Sequence, residues 1–273
     1  MLFSILVAHY NNFEYFQDFY KSVLLQTYQN FEIIIVDDCS TDDSVEKIKI
    51  YTADDSRVKI FQNETNQGVG FTKRKCVEMA AGEICGFIDP DDAVTENALE
   101  ISIQNYLDNP KIIGTYSQIM LCDSLLHPQK VYNRSRKVSN RNPFFFNINN
   151  EISHFFTFRK EFYLKTEGIN PNLTSSEDFD LYLKMYEVGD LAYIPKPLYF
   201  YRLHEKGISQ GEAKKEKAHE NWNQMLREAC KRRNITKIGN TILSENSEFS
   251  KIIFEKENSF TAKVKRKIST FLQ

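Results

Sequence analysis

Short apolar runs alternate with helical periodicities over the first 110 residues. Residues 3–8 form a strand-like run, and Phe16, Phe19, Tyr20 and Val23 then recur at the i, i+3, i+4, i+7 spacing of one helix face. Residues 31–36 are apolar apart from Glu32 and read as a second strand, after which Val45 and Ile48 open another helix. A third strand is expected over 57–61, a helix over 70–81, a fourth strand over 84–88, and a helix over 96–106 with Leu99, Ile103 and Tyr106 aligned. Strands apolar on both faces and separated by helices predict an α/β protein with a parallel sheet and crossover helices.

Beyond Pro110 the order changes. Residues 111–117 and 152–158 are strand-like, and the stretch 127–150 between them is polar, Pro-broken and Asn-rich, as expected of loops around one or two short strands. Residues 177–188 make an amphipathic helix with Phe179, Tyr182, Leu183 and Tyr186 on one side, followed by a strand over 192–202. A basic helical pattern runs from Glu212 through Arg233, with a last amphipathic piece over 261–272. The expected organisation is a 1–210 domain, divided into a 1–110 half and a 111–210 half, and a 211–273 basic helical extension.

Two acidic clusters end predicted strands: Asp37-Asp38 after the second, and Asp89-Pro90-Asp91-Asp92 after the fourth. Ligands of parallel α/β sheets bind in the crevice beyond the strand C-termini. Carboxylates crowded there repel unless a cation or a hydrogen-bond donor stands between them. The Asp-x-Asp spacing of Asp89 and Asp91 suits one hard divalent ion that also binds phosphate oxygens. The alternative for such triplets is a solvated turn.

Charge sharpens this picture. Residues 211–273 carry 14 Lys or Arg against 8 Asp or Glu, so the net charge of −2 leaves the first 210 residues with a surplus of eight acidic groups. An acidic body fits metal-bridged phosphate chemistry, and a basic tail fits either a solvated helical face or an anionic surface. Within 251–273, Lys251, Lys256, Lys263, Lys265, Arg266 and Lys267 face only Glu255 and Glu257, so peripheral contact with anionic membrane is expected there. Five Cys with no Cys-x-x-Cys, no basic leader and no long apolar stretch give the expectation of a cytoplasmic, reducing setting, with attachment at the inner face of the plasma membrane through the tail. Cys76 and Cys85 sit in apolar patterns and read as core residues.

The ordered motifs make the chain recognisable. Ser4-Ile-Leu-Val-Ala-His-Tyr-Asn11, Ser22-Val-Leu-Leu-Gln-Thr-Tyr-Gln-Asn-Phe-Glu32, Ile35-Val-Asp-Asp-Cys-Ser-Thr-Asp42, Asn66-Gln-Gly68, Gly82-Glu83 and Phe87-Ile-Asp-Pro-Asp-Asp92 follow one another, and Ser176-Glu-Asp178-Phe-Asp-Leu and Tyr201-Arg-Leu-His204 come later. Over roughly residues 3–210 the sequence resembles the family 2 glycosyltransferases. The resemblance implies the GT-A fold, a Rossmann-like, mostly parallel sheet flanked by helices, here with a C-terminal helical extension. It departs from the family pattern at His9, Arg74 and Cys76.

The resemblance also implies roles, with 1–110 as the nucleotide-sugar binding half and 111–210 as the acceptor and catalytic-base half. Ala8 and Tyr10 would lie against the nucleobase, and Asp38 would accept a hydrogen bond from it. Lys73 falls where a basic residue often stands near the donor, although Lys73, Arg74 and Lys75 also read as an exposed basic helix start. Asp89 would face the ribose or a metal-bound water, Asp91 would ligate the metal, and His204 would add a ligand to the metal or diphosphate. Asp178 would be the general base, with Glu177 beside it. The implied cofactor is Mn2+ or Mg2+. The implied partners are a nucleotide-sugar, most simply UDP-linked with GDP as the alternative, and a saccharide or glycolipid acceptor in surface polysaccharide or glycolipid synthesis; nucleic acid is not among them. Transfer with inversion needs a carboxylate to take the acceptor proton, worth ~10²–10⁴-fold, and a cation to balance charge growing on the leaving diphosphate. A sugar-nucleotide nucleotidyltransferase would need a Gly- and Arg-rich loop after the first strand, which Tyr10-Asn11-Asn12-Phe13 is not. A non-catalytic carbohydrate-binding relative would have no use for Asp91, Asp178 and His204.

Overall fold

The computed structural model describes residues 1–204 and 212–259. The first half runs β1 (Phe3–His9), α1 (Phe13–Leu24), β2 (Phe31–Asp37), α2 (Ser44–Tyr51), β3 (Val58–Gln62), α3 (Val69–Met79), β4 (Ile84–Phe87), β5 (Ala93–Val94) and α4 (Ala98–Asp108). It continues with β6 (Ile112–Cys122), β7 (Pro128–Val131), β8 (Thr157–Arg159), α5 (Lys160–Tyr163), α6 (Glu177–Val188) and β9 (Asp190–Arg202). The C-terminal part holds α7 (Glu212–Arg232), the small hairpin β10 (Lys237–Ile238) and β11 (Thr241–Ile242), and α8 (Phe249–Glu257).

The central sheet has the order β3-β2-β1-β4-β8-β6-β9-β5, with β7 added to β6. Strands β3, β2, β1 and β4 are mutually parallel, as the mainly apolar runs of β1, β2 and β4 predict. The parallel order stops there. Strand β8 runs antiparallel to both β4 and β6, β6 and β9 are parallel, and β5 is antiparallel to β9.

Alternation along the strands divides the core between the two sheet faces. Phe3, Ile5, Val7, Ile33 and Ile35 pack with Phe16 and Val23 of α1, Ile48 of α2 and Leu99 of α4. Their neighbours Leu6, Ile34 and Val36 pack on the opposite face with Cys76 and Val77 of α3 and with Leu181 and Met185 of α6. Burying each such side chain stabilises the fold by roughly 1.5–3 kcal/mol. A third cluster joins Leu183 of α6 to Met225, Leu226 and Ala229 of α7 and to Phe249 and Ile253 of α8.

The expected strand over 152–158 is shorter, beginning only at Thr157. Side chains take the backbone groups that a ladder would use: the amide of Ile152 donates to Asn147 Oδ1 and that of Phe155 to Ser117 Oγ, both at 2.8 Å. The amphipathic piece expected over 261–272 lies outside the described residues. No helix among the described residues is long and apolar enough to cross a membrane.

Candidate active site

Because β1, β2 and β4 are parallel, the loops that follow them open on one edge of the sheet. Ala8 is half-buried near the end of β1, and Tyr10 just beyond it is 44% exposed, leaving its ring free to meet a planar ligand. Asp38 is buried: its Oδ1 accepts from Asn63 Nδ2 and the amide of Gln67, and its Oδ2 from the amide of Gly68, all at 2.8 Å. It therefore fixes the loop entering α3, with three of the roughly four acceptor sites of a carboxylate taken. His9 and Asp37 lock the strand ends beside it. The amide of Asn12 donates to His9 Nε2, so Nδ1 carries the proton toward Asp37 Oδ1, 2.9 Å away. Burial raises the Asp37 carboxyl, but bonds from His9 and Ser40 outweigh it and hold it below its ordinary value.

Lys73 is not an exposed helix start. It lies on the face of α3 that carries Cys76 and Val77, and is 2% exposed. Its Nζ stands 2.7 Å from Asp178 Oδ1, 2.9 Å from Glu177 Oε1 and 3.3 Å from Asp89 Oδ1. Burial alone would push the ammonium down, yet the three carboxylates hold its pKa well above the ordinary lysine value. The reverse effect separates the two residues that open α6. Burial, then repulsion from Asp178, keep Glu177 above the usual carboxylate range despite Lys73. Burial also opposes ionisation of Asp178, but Lys73 and then His154 overcome it and hold Asp178 below that range. Partial burial raises the Asp89 carboxyl, Lys73 offsets part of the effect, and Asp178 adds to it.

Gly70 lets these parts meet. A Cβ there would stand 2.6 Å from the carbonyl oxygens of both Asn170 and Leu173, so α3 approaches the segment leading into α6 closely only because position 70 has no side chain.

The end of β9 closes the other side. Strand β5 follows the Asp89–Asp92 turn and pairs with β9, bringing Asp91 Oδ2 within 2.8 Å of His204 Nε2. That contact is a hydrogen bond as it stands, and it joins a carboxylate and an imidazole, both ligand types that a divalent ion such as Mn2+ takes. Arg202, whose sequence motif was visible but whose work was not, knits the turn. Its side chain is 2% exposed, and its Nε donates to Asp91 O (2.6 Å), Nη1 to Ser124 O (2.7 Å) and Nη2 to Asp18 Oδ2 (2.8 Å). Its amide donates to Asp92 Oδ1, and burial beside Asp91 and Asp89 lifts the Asp92 carboxyl well above its ordinary value.

Sequence reasoning missed His154. Its ring stacks on Tyr199 at 4.8 Å, and its Nε2 lies 3.5 Å from Asp178 Oδ2. One donor atom each from Asp89, His154 and Asp178 lie within 4.8 Å of one another, as metal ligands can. Lys73 already supplies positive charge between these two carboxylates. The signal for His154 was an imidazole directly before the apolar pair Phe155-Phe156.

Residues 4–166 match the model of the family described as glycosyl transferase family 2. Chondroitin synthase of Escherichia coli is 28% identical over 261 residues, covering 93% of this chain and 36% of that protein. Glycosyltransferase GlyG of Streptococcus pneumoniae is 38% identical over 117 residues, which are 42% of this chain and 39% of that protein. The matches thus span about a third to a half of the length of these curated relatives. Among solved structures, Staphylococcus aureus TarS 1–349 in complex with UDP-GlcNAc aligns with a TM-score of 0.69 at 21% identity, over 95% of this chain and 73% of that one. Mannosyltransferase PcManGT from Pyrobaculum calidifontis, in complex with GDP-Man and Mn2+, aligns with a TM-score of 0.64 at 13% identity, over 94% and 70%. These two likenesses establish the fold. With a family match that runs from β1 past β8 and takes in both acidic turns, the chain belongs to glycosyl transferase family 2.

Proposed function

We propose that this chain is a metal-dependent, inverting glycosyltransferase that moves a sugar from a nucleotide-sugar to an acceptor hydroxyl in the synthesis of a surface polysaccharide or glycolipid. The observation that carries the reading is the pairing of two functions across one turn: Asp91 beside His204, and Asp89 joined through Lys73 to an anionic Asp178. The chondroitin synthase relative supports a saccharide acceptor, and the UDP-GlcNAc held by TarS supports a UDP-linked donor, with GDP as the alternative.

Asp91 and His204 would hold the ion, and an imidazole beside a carboxylate suits Mn2+ better than Mg2+. When bound, the ion neutralises charge developing on the diphosphate leaving group. Asp178, held as the anion, takes the proton of the acceptor hydroxyl as its oxygen attacks the donor's anomeric carbon from the face opposite the diphosphate. Lys73 keeps that base charged, and Glu177 stands behind it. Tyr10 and Ala8 offer a surface for the nucleobase, and Asp38 holds the loop that borders it.

Chelation is expected to abolish transfer from a panel of UDP- and GDP-sugars, and added Mn2+ to restore it. Asp91→Asn should lower turnover by at least about 10²-fold, since it weakens the charge balance on the leaving group, and added metal should not rescue it. Full activity in chelator would remove the metal from the proposal.

The basic segment 251–273 is proposed to meet anionic lipid, each near-surface cation being worth ~1 kcal/mol. Sedimentation with phosphatidylglycerol vesicles should carry down the full chain at low salt, and less of it at high salt. Deletion after Ser259 should abolish binding; equal sedimentation of the two proteins would refute the attachment.

A further inference from the structure

The helix bearing the proposed base does not begin on its own terms. Thr174, Ser175 and Ser176 lead into α6, Ser176 has the left-handed φ of +65°, and no side chain caps the helix at that position. A non-glycine residue held there costs about 1 kcal/mol or more and persists where its surroundings over-determine it.

The side chain that grips this lead-in comes from α7. Asn221 is 3% exposed, and its Nδ2 lies 3.0 Å from both Thr174 Oγ1 and Ser175 Oγ, and 3.5 Å from Ser175 O. A buried amide is costly unless it is bonded, so these contacts fix the position of the segment as well as satisfying Asn221. Helix α7 also holds α6 further along. Trp222 packs on Phe179 with ring centroids 4.7 Å apart, and Arg232 and Arg233 reach Glu187 in the last turn at 2.7 and 2.8 Å.

We propose that Asn221 is a positioning residue for the transfer reaction: it sets the entry into α6 and so the placement of Asp178 relative to the acceptor. The C-terminal helix then belongs to the catalytic apparatus although it lies beyond the segment that the family model matches. The inference rests on the reading of Asp178 as the base.

The test is a double-mutant cycle in the full chain, with turnover expressed per nucleotide-binding site, counted by titration with UDP, or with GDP if the donor screen selects it. Asn221→Ala is expected to lower turnover about tenfold, within the range that misplacement of a reacting group produces. Nucleotide affinity and donor KM should stay within about twofold, because the donor-side loops keep their own anchors. In an Asp178→Asn background the same substitution should cost nothing further, since residues acting as one unit are non-additive. Losses that multiply, or Asn221→Ala with wild-type turnover per site, would overturn the proposal. If Asn221→Ala fails to fold, the Thr174→Val, Ser175→Ala pair removes the same hydroxyl contacts from the other side and enters the same cycle. A collapse of turnover in Asp178→Asn with Asn221→Ala untouched removes this inference alone; near-normal turnover in Asp178→Asn removes the base assignment and the inference with it.

Discussion

Replacing Lys73 with methionine should lower turnover by at least about 10²-fold and weaken the fold by about 3–5 kcal/mol at neutral pH. Methionine keeps most of the lysine's length and removes its charge. The loss would leave Asp89, Glu177 and Asp178 without the ammonium that now lies within 3.3 Å of all three. Since Asp89 is still 28% exposed, the lower stability figure is the better expectation. The pH dependence follows from the same contacts. Lys73 and His154 hold Asp178 below its ordinary value against burial, so removing Lys73 lets burial and the neighbouring Glu177 raise it. The acid limb of the rate profile should move to higher pH, with part of the lost rate returning as pH rises. Stability should show the opposite trend. Carboxyls raised in the folded state bind protons that the unfolded chain does not, so the deficit is largest at pH 8 and eases toward pH 5. Denaturant unfolding at those two values checks this, and a pH-independent deficit would mean that Lys73 contributes by packing.

The first half of the fold was legible because β1, β2 and β4 are covered on both faces, and such strands do not alternate with polar residues. The other half was harder to read. Backbone bonds over 152–156 go to the side chains of Asn147 and Ser117, and a periodicity argument has no access to partners 5 and 38 residues away. For Lys73 the sequence contained more than was used: it stands at i relative to Cys76 (i+3), Val77 (i+4) and Ala80 (i+7), so a helical reading places it on the buried face. A lysine on an apolar face is a demand for carboxylates, and Asp89, Glu177 and Asp178 meet it. His154 and Arg202 were beyond such reasoning, because each acts through residues that only the tertiary fold brings near.

Asp178→Asn is expected to leave the melting temperature nearly unchanged while turnover falls by at least ~10²-fold. The stability half of the expectation follows from the charge count around Lys73. Three carboxylates face one ammonium, so neutralising one relieves repulsion and still leaves Glu177 and Asp89 to pair with Lys73. A capping role for Asp178 would give the opposite result, about 1 kcal/mol of lost stability with turnover of the folded fraction preserved. Its contacts argue against capping: Oδ1 bonds to Lys73 and Oδ2 faces His154. The helix N-terminus adds its own preference for the anion in the first turn of α6. Glu177 is the natural rival, being adjacent and bound to the same ammonium. It is the more buried of the two, 10% against 18% exposed, and is held above the ordinary carboxylate range, so it is less accessible and is ionised less readily. Glu177→Gln should therefore be the milder change, acting through the shared lysine rather than by removing the proton acceptor. Measuring turnover per nucleotide-binding site for the two variants separates the roles. A folded Asp178→Asn protein with near-normal turnover, beside a Glu177→Gln protein that has lost it, would transfer the base to Glu177.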